Sequence, residues 1–248
     1  MMERARLIGS FVISSACLVI GVWLSLFYLF LFIGPLHLVQ LNLSEGTILA
    51  WDGLLSIAFF VAHSGMIRRF RAGAYSFIPV YYRGALFAIL SGVLLTTLAV
   101  FWQPSTVLLY QVQGFPRWIA RGLFFLCIAG MTWTMFVMGL PLLFGLTALK
   151  DHLDGKLPQP CQFMVRGPYL WVRHPVYLAH ILMIWSFPDL TADRLLFNVL
   201  WTMWIYVGAV FEERDLISDF GQAYRDYKHE VPMLIPWRVP SARMNKVK

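Results

Sequence analysis

Long apolar runs separated by short polar punctuation dominate the chain. The first is uncharged from Leu7 to Ile33 and stops at Gly34-Pro35. A cleavable leader carries an apolar core of only about 7–15 residues, and a bilayer crossing needs about 20, so a retained first helix is expected. Later runs predict helices over about Thr47–Ile67 and Gly84–Trp102, and another beginning near Arg121. That last run meets no charge for 28 residues, until Lys150. As one helix it would measure about 42 Å, against a hydrocarbon core of about 30 Å. Gly139, Pro141 and Gly145 are therefore expected to kink it or end it early.

Past Arg173 the pattern changes. Only 13 or 14 apolar residues precede Pro188-Asp189, too few to span comfortably, which predicts a tilted or re-entrant arm. The return arm is expected over Leu195–Phe211, and the segment from Lys150 to Arg166 reads as a polar loop. Phe220, Tyr224, Tyr227 and Val231 then recur at helical spacing, predicting an amphipathic helix on the membrane surface or capping the bundle. The expected fold is an all-α integral membrane protein with five to six transmembrane helices, a C-terminal helical hairpin and an amphipathic tail helix. It is expected to be a single domain over 1–248, made of a four-helix bundle (1–146), the hairpin with the C-terminal helix (147–237) and a basic tail (238–248).

Charged residues make up 13% of the chain, about half the usual share in soluble domains. The net charge of +7 suggests a nucleic-acid partner at first glance. With the N-terminus in the cytoplasm, however, seventeen Lys and Arg fall on the inner side and only Arg117, Arg121 and Arg194 outside. The positive-inside rule then explains the charge, with both termini cytoplasmic and no nucleic acid required. Cys17, Cys127 and Cys161 form no disulfide pattern. HExxH, paired CxxC, Walker and Rossmann patterns are absent. Asp151, His152, Asp154 and Cys161 match no common metal spacing, and adjacent His63-Ser64 do not make a nucleophile and base.

Two polar clusters remain, Arg166 to Tyr177 and Glu212-Glu213-Arg214-Asp215, and a folded hairpin would bring them together. Pro175 suits the first turn of a helix, placing His174 at the N-cap beside free N–H groups that favour an anion. Tyr177 lies one turn on. An interfacial belt role for Arg173 and Tyr177 is the plainer alternative. Glu212 and Glu213 point about 100° apart on a helix. Negative charge is disfavoured at a helix C-terminus, so either the helix continues past Asp215 or the carboxylates answer a positive partner. His180 reads as a hydrogen-bonded core histidine. His63, ionisable inside a membrane helix, stays a functional candidate.

Gly167-Pro168-Tyr169, Arg173-His174-Pro175-x-Tyr177, Glu212-Glu213, Phe220-Gly221-x-x-Tyr224-x-x-Tyr227 and Val231-Pro232, in that order, resemble the isoprenylcysteine carboxyl methyltransferase superfamily. Asp52, His63-Ser64-x-Met66, Phe101-Trp102-Gln103 and Phe144-Gly145-Leu146 make most of the chain similar to bacterial methanethiol S-methyltransferases and the neighbouring NnrU-like proteins. The resemblance implies an S-adenosylmethionine (SAM)-dependent enzyme of the bacterial inner membrane. It further implies that Tyr169, His174, Pro175 and Tyr177 help hold SAM and that Glu212 and Glu213 close its pocket. Arg173, Glu213 and His63 are then the catalytic candidates, favouring a thiolate or holding the cationic cofactor end. The implied acceptor is a small apolar thiol, most simply methanethiol going to dimethyl sulfide. Two alternatives stand beside it: an NnrU-like non-enzymatic protein of nitrogen-oxide metabolism, and methylation of a lipid or prenylcysteine. Gly208 weighs against the last, because the carboxyl methyltransferases place an arginine there. Ala179 replaces a usual glycine, and Asp193-Arg194 a usual Gly-His.

Overall fold

The computed structural model describes residues 2–139, 146–156 and 163–238. Its helices are α1 (Met2–Ile33), α2 (Glu45–Arg71), α3 (Val80–Phe101), α4 (Phe115–Met138), α5 (Leu146–Leu153), α6 (Pro175–Trp185), α7 (Ala192–Phe220) and α8 (Gln222–Glu230). A 3-10 turn covers Gly167–Leu170, and β1 (Leu108–Gln111) pairs with β2 (Asp189–Thr191). Among the described residues five helices are long and apolar enough to cross a bilayer: α1, α2, α3, α4 and α7. The protein is an all-α integral membrane protein but for that short ribbon.

The chain forms two compact units. The first comprises Met1–Leu109, Gly139–Gln159 and Thr191–Phe197. Within it α3 packs against α1, α2 and α5. The α1–α3 approach depends on Gly92, where an added Cβ would collide with the Trp23 indole. Nearer the other end Phe30, Trp102 and Phe197 meet edge to face, with centroids 5.8, 5.5 and 5.3 Å apart, a favoured aromatic geometry.

A buried polar seam lies against these rings. Asp193 accepts from Trp102 Nε1 at 3.0 Å and from the Ser105 N–H at 3.2 Å. Arg194 donates to the Leu31 carbonyl at 2.6 Å, its guanidinium 5.6 Å from the Phe197 ring centroid. Asp52 accepts from the Gln103 N–H at 3.0 Å. Buried polar groups need such partners, so the Asp193-Arg194 departure is committed to the fold of this unit.

The expected polar loop after Lys150 is in part helical. Leu146, Leu149 and Leu153 of α5 face a cluster with Ala16, Ala85 and Tyr81, while Lys150 pairs with Asp154 at 2.8 Å. Charge density masked a short amphipathic helix. The conceivable metal ligands are engaged otherwise: His152 stacks on Tyr81 at 3.6 Å, and Asp151 and Asp154 face Lys156 at 3.9 and 3.5 Å. Cys161 lies outside the described residues.

The second unit comprises Tyr110–Met138, Pro160–Leu190 and Asn198–Lys248. Here α4 packs against α6 and the 3-10 turn. It begins six residues before the expected Arg121, because its first-turn charge is neutralised: Arg117 grips Asp189 with both Nη atoms at 2.6 Å. Arg121 sits over the Phe187 ring. The helix ends at Met138, ahead of Gly139 at φ 85°, a left-handed stop that glycine adopts without strain. Pro141 and Gly145 lie outside the described residues. The 11 residues of α6 rise only about 16 Å, half a hydrocarbon core, as expected of a non-spanning arm. By contrast α7 runs well past the expected Phe211, to Phe220. Gly221 at φ 58° then turns the chain into α8. The Arg243, Lys246 and Lys248 tail lies outside the described residues.

Candidate active site

The stretch from Gly167 to Tyr177 is held by local geometry on one side and by the C-terminal segment on the other. Gly167 has φ 59°, and a Cβ there would stand 3.0 Å from both Val137 methyls, so only glycine fits without strain. The turn it starts presents Tyr169, whose carbonyl accepts from Tyr227 Oη at 2.7 Å. Tyr224, Tyr227 and Val231 form the buried face of the predicted amphipathic helix, packed on Val165, Tyr169 and Leu170. Burial, and then the Glu212 charge, push the Tyr169 phenol up to about 12; burial likewise raises Tyr224 and Tyr227. These phenols stay protonated at neutral pH, and that of Tyr227 acts as a donor.

His174 is the N-cap of α6 and Pro175 its first residue, as the proline implied. The N–H groups of Arg173 and His174 donate to the Pro232 and Met233 carbonyls at 2.9 and 3.1 Å. The strap after α8 thus holds the backbone leading into α6.

The two glutamates divide as a helix requires. Glu213 faces inward with its side chain 4% exposed, whereas that of Glu212 is 45% exposed. Glu213 Oε1 receives Arg173 Nε and Nη2, both at 2.6 Å, and Oε2 receives Lys228 Nζ at 2.8 Å. Arg173 Nη1 donates to the Lys228 and Val231 carbonyls. Glu212 Oε2 accepts from Tyr177 Oη at 2.6 Å. Between the two carboxylates lies His174, its Nδ1 3.9 Å from Glu212 and its Nε2 3.4 Å from Glu213. That Nε2 is buried and lacks a hydrogen-bond partner among the described residues, the 3.4 Å approach being off-line. The imidazole stacks on the Tyr177 ring, centroids 5.2 Å apart and planes 8° apart. Both answers to the carboxylate puzzle therefore hold: α7 continues past Asp215, and Glu213 meets cations.

Three relatives bear on identity. A methanethiol S-methyltransferase of a Pseudomonas species is 31% identical over 227 residues, 85% of this chain and 87% of the relative. That of Mycobacterium tuberculosis is 35% identical over 181 residues, 72% and 74% of the two chains. Methanethiol S-methyltransferase 1 of Bradyrhizobium diazoefficiens is 37% identical over 191 residues, covering 75% of this chain and 66% of its own length. The chain belongs to the methanethiol S-methyltransferase family. No family model and no solved structure matches it.

In this member of the methanethiol S-methyltransferase family, Tyr169, Arg173, His174, Pro175, Tyr177, Glu212 and Glu213 all fall within the second unit, joined by the contacts above. His63 belongs to the first, its Nδ1 3.0 Å from Ser91 Oγ and its ring stacked on Phe59 at 5.2 Å. His180 Nδ1 donates to the Val176 carbonyl at 2.8 Å, the core histidine expected. Sequence reasoning missed Lys228. Its only signal was its place directly after Tyr227 on the amphipathic helix, where it counted as one more inner-side charge.

Proposed function

We propose that the protein is a SAM-dependent S-methyltransferase of the membrane whose acceptor is a small apolar thiol, in the simplest case methanethiol. The reading is carried by one observation: the ordered motif residues, far apart in the chain, converge on a single cluster around Glu212 and Glu213. Family membership supports methyl transfer, since the relatives above are named for it.

The residues present fit SAM in charge and chemistry. Glu212 is half-exposed, with Tyr177 on one oxygen only, and so keeps acceptor capacity for a cationic group. The stacked His174 and Tyr177 rings offer the aromatic surface that attracts cations. Tyr169 lies in the 3-10 turn before this segment, and Pro175 opens α6. When bound, SAM supplies a methyl group on a sulfonium that is its own leaving group. The protein's share is then to position, to exclude water and to balance charge. Arg173 and Glu213 serve by locking the segment from Tyr169 to Tyr177 against α7 and α8. The acceptor thiol would release its proton to water and take the methyl group as a thioether, the electron pair of the broken carbon–sulfur bond staying on the donor. Gly208, one helical turn before Glu212, places no cation where an acceptor carboxylate would need one, and an added Cβ there meets nothing within 4 Å. This favours a neutral thiol over a prenylcysteine carboxylate. Cytoplasmic termini at a bacterial inner membrane belong to the same proposal and rest on the Lys/Arg asymmetry.

Membranes containing the protein, incubated with SAM and methanethiol, are expected to release dimethyl sulfide, measured by gas chromatography. No dimethyl sulfide from protein that binds SAM would overturn the acceptor. Failure of SAM to raise the melting temperature of the purified protein would overturn the class.

A further inference from the structure

Two cations, Arg173 and Lys228, meet Glu213 in this cluster, and they differ in the capacity they keep for an anionic ligand group. A guanidinium has five N–H donors. Those of Arg173 reach Glu213 from Nε and Nη2 and two backbone carbonyls from Nη1, and the side chain is 7% exposed. Four donors are accounted for and water is excluded. Lys228 differs. Its ammonium carries three donors, one of which meets Glu213 Oε2 at 2.8 Å, and its side chain is 45% exposed.

The charges sort accordingly. Arg173 and Glu213 form a buried neutral pair. The half-exposed charges attached to it are Glu212, negative, and Lys228, positive. Glu212 reaches the pair through His174, whose two nitrogens lie 3.9 Å from Glu212 and 3.4 Å from Glu213; Lys228 reaches it through Glu213 Oε2. A ligand bearing only a cation would answer Glu212 and leave Lys228 unmatched. A ligand carrying a cation and a carboxylate a few bonds apart answers both.

We infer that Lys228 is the carboxylate receptor of the cofactor site: Glu213 fixes its ammonium at the pocket edge, where it takes the α-carboxylate of the methionyl end of SAM while Glu212 takes a cationic group. This deepens the proposed function and rests on it. It assigns Lys228 a binding role, and it makes Glu213 a positioning residue acting through Lys228 and Arg173.

The test compares SAM with its decarboxylated analogue, which keeps the sulfonium and the amine and lacks the carboxylate, by titration into detergent-purified full-length protein. Wild type should bind SAM more tightly than the analogue. Lys228→Met should lose affinity for SAM by roughly tenfold or more, as expected for a charge-assisted hydrogen bond, and change affinity for the analogue by less than about twofold. Lys228→Arg, which keeps the charge, should restore most of the preference. Because both ligands are read on the same variant, a general loss of folding lowers both affinities together, and Lys228→Gln provides a second neutral variant. An equal loss for both ligands, no loss for either, or a wild type that does not distinguish them would overturn the inference. A wild type that binds neither ligand would overturn the methyltransferase reading and the inference with it.

Discussion

Replacing Glu213 by glutamine removes one charge from the most enclosed ion pair of the second unit and leaves its volume nearly unchanged. Arg173 would keep its bonds to the Lys228 and Val231 carbonyls but lose its counter-charge in a place with 7% exposure. Breaking a buried pair from one side costs about 3–5 kcal/mol. Lys228, with a side chain 45% exposed, can turn to water, so the lower end, about 3 kcal/mol, applies. At roughly 2–4 °C per kcal/mol for a chain of this size, the melting temperature should fall by about 6–12 °C. The 10 tryptophans provide the signal for intrinsic-fluorescence melting in detergent. Replacing both partners, Arg173→Met with Glu213→Met, removes the stranded charge as well and should recover part of the loss. If Glu213→Gln melts within about 2 °C of wild type, the pair does not hold the segment in place and the division between the two glutamates is wrong.

Three further outcomes follow from individual contacts. Glu212→Gln, at a half-exposed carboxylate, should change stability by no more than about 1 kcal/mol yet weaken SAM binding, measured by titration. Gly92→Ala should destabilise the first unit by about 1–3 kcal/mol through overpacking against Trp23, and Trp23→Ala in the same chain should relieve part of it, both read by melting. Asp189 lies in β2, where hydrogen bonds from Arg117 hold its carboxyl below the usual carboxylate range. A depressed folded value means that the unfolded chain takes up the proton first as pH falls. This stabilisation is complete above the ordinary value of about 4 and disappears as pH drops through the folded value. Asp189→Asn should make the acid-limb decline in melting temperature measurably shallower, by the share that Asp189 contributes.

Much of the fold was legible because a bilayer imposes length and internal hydrogen bonding on whatever crosses it. The runs ending at Ile33 and near Ile67 and Trp102 became α1, α2 and α3 with ends displaced by a few residues. The boundaries misread were those where charge was taken as a stop. Arg117 lies inside the first turn of α4 because Asp189 answers it. Lys150, Asp151 and Asp154 sit on and just beyond α5 because Leu146, Leu149 and Leu153 bury the other face. The helix through Glu212 to Phe220 survives its charges because Arg173 and Lys228 stand opposite Glu213. In each case the compensating partner is distant in the chain, and a local pattern carries no record of it.

The candidate site divides along the same line. Spacing alone determined that Pro175 opens a helix with His174 at its cap, that Phe220, Tyr224, Tyr227 and Val231 share a buried face, and that Glu212 and Glu213 must point about 100° apart. Which glutamate turns inward depends on the rotation of α7 about its axis, and that angle is fixed by tertiary contacts, among them those of Tyr177, Arg173 and Lys228. Tertiary structure therefore decided that Glu213 is locked between Arg173 and Lys228, that Glu212 stays half-exposed, and that the His174 amide is held by the strap at Met233.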